Sequence, residues 1–168
     1  MYRLRTDRLV RGTKVVLLAS FGVYAGLVTL GNVVDPETNL AFVEHVLRMD
    51  TTFGRPALRG RAIEDPNTHR MMFGLIVATE AMISGLCLWG SIRLVRAIRC
   101  GADHFHAAKA TGVSGLLLGL LLWFLGFQVV GGEWFVSWQS DLWNGLDPAS
   151  RITTFLLGSL IFVTLRND

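Results

Sequence analysis

MMFGLIVATEAMISGLCLWGSI, residues Met71 to Ile92, decides the fold. A helix needs about 20 apolar residues to cross roughly 30 Å of hydrocarbon, and this stretch has that length. Its single charged residue is Glu80, near the middle. A carboxyl group at that depth is costly, so Glu80 is a candidate functional residue by default.

Three other blocks have the same character. Val15–Val34 and Gly112–Val130 reach spanning length. Ala149–Leu165 is shorter and reaches it if Arg151 and Arg166 snorkel toward opposite interfaces. The chain has 168 residues, 17% of them charged, where soluble domains carry about 25%. The shortfall is concentrated in the four blocks, which leaves little sequence for a separate soluble domain. The expected fold is all-α: one integral membrane domain over residues 1–168, built as a four-helix transmembrane bundle. Basic residues precede the first block, as in a signal peptide. Its apolar run exceeds a signal h-region and no small-x-small cleavage pattern is evident, so it is expected to remain as a helix.

The charges give an orientation. Arg3, Arg5, Arg8, Arg11 and Lys14 precede the first span. Arg93, Arg96, Arg99 and Lys109 lie between the second and third, and Arg166 follows the fourth. Only Asp7, Asp103 and Asp168 oppose them on that side. The other side mixes Arg with nine acidic residues, among them Asp35, Glu37, Glu133 and Asp141. The positive-inside rule therefore predicts cytoplasmic termini in a bacterial inner membrane. The pI near 9.3 is then a topology signal and not a sign of nucleic-acid binding.

The two outer loops carry most of the remaining information. The first, Asp35–His69, is bounded by Asp35-Pro36 and Asp65-Pro66-Asn67 turns. Within Asn39–Phe53, Val43, Val46, Leu47 and Asp50 recur at helical spacing, which predicts a short amphipathic helix on the periplasmic surface. The second, Gly131–Pro148, reads GGEWFVSWQSDLWNGLDP. Its tryptophans suit a membrane boundary. They also suggest a periplasmic binding platform formed by Trp134, Trp138, Gln139, Asp141, Trp143 and Asn144.

Inside the spans, Gly22-x-x-x-Gly26 and Gly115-x-x-x-Gly119 are close-packing signatures, since small residues let helix backbones approach. Counting inward from the outer span ends puts Tyr24 level with Glu80, both roughly 15 Å deep. A Tyr24 hydroxyl donating to a protonated Glu80 is the expected arrangement, with Ser84 one turn away. Such a carboxyl group serves either as an interhelical hydrogen-bonding group or as a proton or cation site.

Cys87 and Cys100 match no disulfide framework or zinc pattern. His45, His69, His104 and His106 all fall outside the span cores, so no haem-ligating pair is offered. No metal or cofactor is expected. No nucleophile elbow, phosphate loop, dinucleotide fingerprint or HExxH occurs, and nothing supports an enzyme.

NLAFVEHVLRMDTT (Asn39–Thr52) and GEWFVSWQSDLWNG (Gly132–Gly145) resemble segments of a bacterial family of predicted small integral membrane proteins with a domain of unknown function. The resemblance covers essentially the whole chain. It implies the four-span architecture and carries no activity, substrate or cofactor. Three functions stay open. The first is a non-enzymatic accessory subunit of a larger membrane assembly. The second is a small oligomeric transporter or channel-like protein using Glu80. The third is a periplasmic-face binder of lipid or another ligand. The expected partners are membrane lipids and either a membrane protein or further copies of the chain.

Overall fold

α1 (Tyr2–Val34) carries the first span and stops where Asp35 precedes Pro36. A residue before proline is pushed out of helical geometry, so the chain turns there. Residues 2–166 are described by a computed structural model, with side chains from Thr6 onward. The Arg3 and Arg5 side chains and Asp168, used in the charge argument, lie outside the described residues.

Pro36 opens α2 (Pro36–Arg48), and Thr38 donates its hydroxyl to Asp35 Oδ2 at 2.9 Å across the start. α2 is the amphipathic helix, with Val43 and Leu47 buried on one face. It begins and ends earlier than the expected 39–53 segment. Proline is well suited to a first helical turn, and Met49 ends the helix in the left-handed conformation, φ 53° and ψ 28°.

α3 (Pro66–Ala97) is capped by Asp65. The Thr68 hydroxyl (2.7 Å) and the backbone N–H groups of Asn67 (3.2 Å) and Thr68 (3.0 Å) donate to its carboxylate. The Thr68 side chain, and then these N–H groups, hold the Asp65 pKa below its ordinary value. The third span is composite: α4 (Ala102–Ala108), α5 (Ala110–Leu120) and a π-helical segment, Leu121–Trp134. The segment carries the helix through Gly131, Gly132 and Glu133, which the sequence places in a loop. α6 (Leu146–Thr164) completes the bundle.

Among the described residues, four helices are long and apolar enough to cross a membrane: Thr6–Val34, Pro66–Ala97, Ala102–Trp134 and Leu146–Thr164. Successive spans alternate in direction. Both chain ends therefore share one end of the bundle, the terminal face. The α1–α3 and π–α6 connections share the other, the loop face.

The GxxxG glycines pack inside this bundle. A Cβ on Gly22 would lie 2.6 Å from the Leu88 side chain, and one on Gly26 2.9 Å from Ser84 Oγ. On Gly115 it would lie 2.7 Å from Cys87 Sγ, and on Gly119 3.2 Å from Leu156. The closest approach of one backbone to another is elsewhere, where a Cβ on Gly90 of α3 would sit 2.5 Å from the Gly112 backbone of α5. Leu18, Ile83, Leu94, Leu116 and Leu156 fill the core around these crossings.

Some basic residues of the terminal face close helix ends. Arg11 Nη1 donates to the Ile98 carbonyl (3.0 Å) and the Cys100 carbonyl (2.7 Å) beyond α3. Lys14 and Lys109 are 0% and 2% exposed, yet both donate to the Leu165 carbonyl at the end of α6, at 2.7 and 2.9 Å. Cations are favoured at helix C-termini, where the carbonyls carry partial negative charge.

Candidate ligand-binding site on the loop face

Glu80 is 3% exposed, and its Oε2 accepts from Asn32 Nδ2 at 2.7 Å. Asn32 Oδ1 in turn accepts from Asn39 Nδ2 at 2.6 Å. Asn39 stands exposed on α2, so hydrogen-bond donation runs from the protein surface inward to Glu80.

The Tyr24–Glu80 hydrogen bond expected from the sequence is not formed. Tyr24 lies about two turns away from Asn32 along α1, with its ring against Trp123 at 5.7 Å between centroids. Counting inward from each span assumes that the helices end level. α3 instead begins well beyond the end of α1, and its first turns pack on α2 through Met72, Phe73 and Ile76. Glu80 is therefore level with the last turn of α1, where Asn32 stands. Ser84 is one turn from Glu80, but its hydroxyl donates to the Gly22 carbonyl at 2.7 Å. Asn32 carried no sequence signal, because an amide near a span end reads as a boundary residue.

Two neighbouring cavities lie beside this chain. The larger measures about 340 Å³ and is apolar. α2 roofs it with Phe42, Val43, Val46 and Leu47, and α3 supplies Met72, Leu75 and Ile76. The π segment forms the opposite wall with Leu121, Leu122, Gly126, Phe127 and Val130. Of its polar lining residues, Thr79 spends its hydroxyl on its own helix, donating to the Leu75 carbonyl at 2.7 Å. Leu75, Leu121 and Val130 line the cavity and are also 59%, 48% and 41% exposed, so it opens sideways through the flank of the bundle.

The smaller cavity measures about 150 Å³ and shares Phe42, Val43, Ile76 and Phe127 with the larger. Its remaining lining includes Glu80, Asn32, Asn39, Phe73 and Trp123. The two together form an apolar slot beside an aromatic-walled chamber with a carboxyl group.

The π segment shapes this pair. In such a coil an N–H bonds five residues back, as Phe135 does to the Val130 carbonyl at 3.0 Å. π geometry is rare and is frequent at functional sites. Its sequence, LLWFLGFQVVGGEW, reads as ordinary helix followed by loop, and nothing in it signals the wider turn.

The tryptophan loop does not gather into the expected outward platform. Trp134 lies under the Arg61 guanidinium at 4.7 Å, and Trp138 meets Phe53 edge-on at 6.0 Å. Gln139 Oε1 accepts from the Phe53 N–H, and Asn144 Oδ1 from the Leu146 N–H at the start of α6. Trp143 turns inward and stacks on His45 at 4.5 Å, while Asp141 is exposed. Gln139, Trp143 and Asn144 help to fix the loop, while Trp134 and Trp138 remain 54% and 48% exposed. The loop reaches the larger cavity through Phe135, Ser137 and Gly145 instead.

Among the described residues, no group of three or more His, Cys, Asp or Glu is placed to hold a metal ion. Cys87 is buried and Cys100 exposed, both as free thiols.

Fold and site together define a small four-span α-helical membrane protein with a lateral cavity under an amphipathic cap. Residues 10–166 match the family described as predicted small integral membrane protein (DUF2165), and the chain belongs to that family. No curated protein and no solved structure matches it.

Proposed function

We propose that this protein is a non-enzymatic binder of a membrane amphiphile, holding one alkyl chain in the larger cavity. The observation that carries the reading is the cavity itself, apolar, about 340 Å³, and open on the lipid-facing flank. That size falls within the range of ligand pockets, roughly 300–1,000 Å³. An alkyl chain entering from the bilayer needs no polar partner there. The accessory-subunit reading loses one support, because all four GxxxG glycines are used within the chain.

The test is photolabelling with a diazirine-bearing fatty acid, followed by peptide mapping. Label should fall on Leu75, Ile76 or the 121–130 stretch. Gly126→Leu should cut it at least about fivefold, by filling a pocket that binds mainly through apolar burial. The new Cβ meets only ordinary contacts, the nearest atom being 3.7 Å away, so the variant should fold. Equal labelling of both proteins, or label confined to other flanks, would sink the proposal.

The same reading places the protein in the bacterial inner membrane, with the loop face periplasmic and both termini cytoplasmic. The support is the basic excess on the terminal face. Cys100 is exposed on that face and serves as a native probe. A membrane-impermeant maleimide should label it only after cells are opened. Labelling in intact cells would reverse the orientation.

A further inference from the structure

We propose that the smaller cavity receives an organic ammonium group and that Glu80 is its counter-ion. The ligand of the larger cavity would then be a cationic amphiphile. The inference rests on the binding reading above and names the chemical class of what is bound.

The first observation is the state of Glu80. It is buried, and among the described residues Asn32 is its one hydrogen-bond partner, on Oε2. No Lys, Arg or His pairs with it among the described residues. The other carboxyl oxygen is thus available to a donor from the adjoining cavity. A buried carboxylate without a compensating charge is strongly disfavoured. A cation arriving beside it would supply that charge.

The second observation is the wall. Phe42, Phe73, Trp123 and Phe127 surround the same cavity. Aromatic faces attract cations, and several of them around one site are the common means of holding alkylated ammonium groups. A carboxyl group set among four aromatic rings therefore matches a soft organic cation.

The third observation excludes the obvious competitor. Hard cations such as Ca²⁺ take six to eight oxygen ligands. Here the side-chain oxygens come from Glu80, Asn32 and Asn39, and Asn32 Oδ1 is already occupied by Asn39. That side-chain supply is too small for Ca²⁺ and adequate for an ammonium group.

The fourth observation is the shared boundary. Phe42, Val43, Ile76 and Phe127 line both cavities. A headgroup beside Glu80 can therefore carry its alkyl chain directly into the apolar slot. The Asn39–Asn32–Glu80 chain tethers α2, which roofs the slot, to the charge site.

The experiment is calorimetric titration of the purified full chain in maltoside detergent. The two probes are dodecyltrimethylammonium and dodecanol, which share a tail and differ in headgroup charge. Wild type should bind the cation at least about tenfold tighter than the alcohol. Glu80→Gln keeps a hydrogen-bond acceptor for Asn32 and should fold. It should erase that preference, bringing the two probes to within about twofold of each other, because the tail contacts they share are untouched. Infrared difference spectra should show a protonated carboxyl band replaced by carboxylate bands when the cation binds, absent from Glu80→Gln. Equal binding of both probes by wild type would overturn the ammonium assignment while leaving the apolar slot standing. A preference that survives Glu80→Gln would overturn it as well. Binding of neither probe would overturn both proposals.

Discussion

Gly90→Ala should lower the apparent melting temperature of the detergent-solubilised protein by at least about 5 °C. Helix propensity alone predicts the opposite sign, since alanine is favoured over glycine in a helix by about 1 kcal/mol. The deciding contact is backbone to backbone. A Cβ at Gly90 would lie 2.5 Å from both Cα and N of Gly112. No side chain can rotate away, so α3 and α5 must move apart as whole helices. Overpacking costs about 1–3 kcal/mol, and a contact with no side chain free to yield belongs at the upper end, which for a chain of this length is on the order of 5–10 °C. Gly158→Ala is the matched control, because a Cβ there meets nothing within 4 Å. It should leave the midpoint unchanged or raise it slightly. Gly112→Ala should fall between the two, since its Cβ would meet the flexible end of the Leu18 side chain. A Gly90→Ala protein as stable as the control would show that α3 and α5 do not cross there.

The second large effect is expected at the terminal face. Lys14→Met retains the apolar stem and removes the ammonium that holds the Leu165 carbonyl. A hydrogen bond from a charged donor contributes about 1.5–3 kcal/mol, and its loss should loosen the end of α6. Limited proteolysis should report it as new cleavage near residue 160, alongside a lower midpoint. Lys109 donates to the same carbonyl at 2.9 Å and compensates in part for the single change. The double variant Lys14→Met, Lys109→Met should therefore cost more than the sum of the singles, as coupled neighbours do. Strict additivity, or a fully stable double variant, would show that the two lysines do not act together on α6.

The fold was largely legible in the sequence, and the site much less so. Apolar length alone identified the four spans, because hydrocarbon thickness leaves few alternatives. Asp35-Pro36 and Asp65-Pro66 marked helix starts because proline fixes local geometry whatever its surroundings. Glu80 stood out for the same reason, as a charge where none belongs. Its partner did not. Tyr24 was matched to it by depth, but register between helices comes from packing. Gly22 and Gly26 seat Leu88 and Ser84, and that contact slides α3 outward until Asn32 faces Glu80. The tryptophans are a different case. Their abundance suggests a binding surface, whereas Trp134, Trp138 and Trp143 each meet a neighbour within the cap. The cavity was invisible because it depends on the pitch of the 121–134 coil, which no residue pattern announces.

The unequal helix lengths bear on the bilayer as well as on the site. α3 has 32 residues and α6 has 19, which corresponds to roughly 48 Å and 28 Å of axis. A hydrocarbon core of about 30 Å leaves α3 generous overhang and α6 no slack. The protein is thus a wedge in thickness, tall along one flank and short along the other. Lipids beside α6 must compress or be drawn from shorter-chained species, while those beside α3 meet no such demand. A membrane thickened by long acyl chains would strain the α6 flank first. That flank is held in place by two lysines on a single carbonyl.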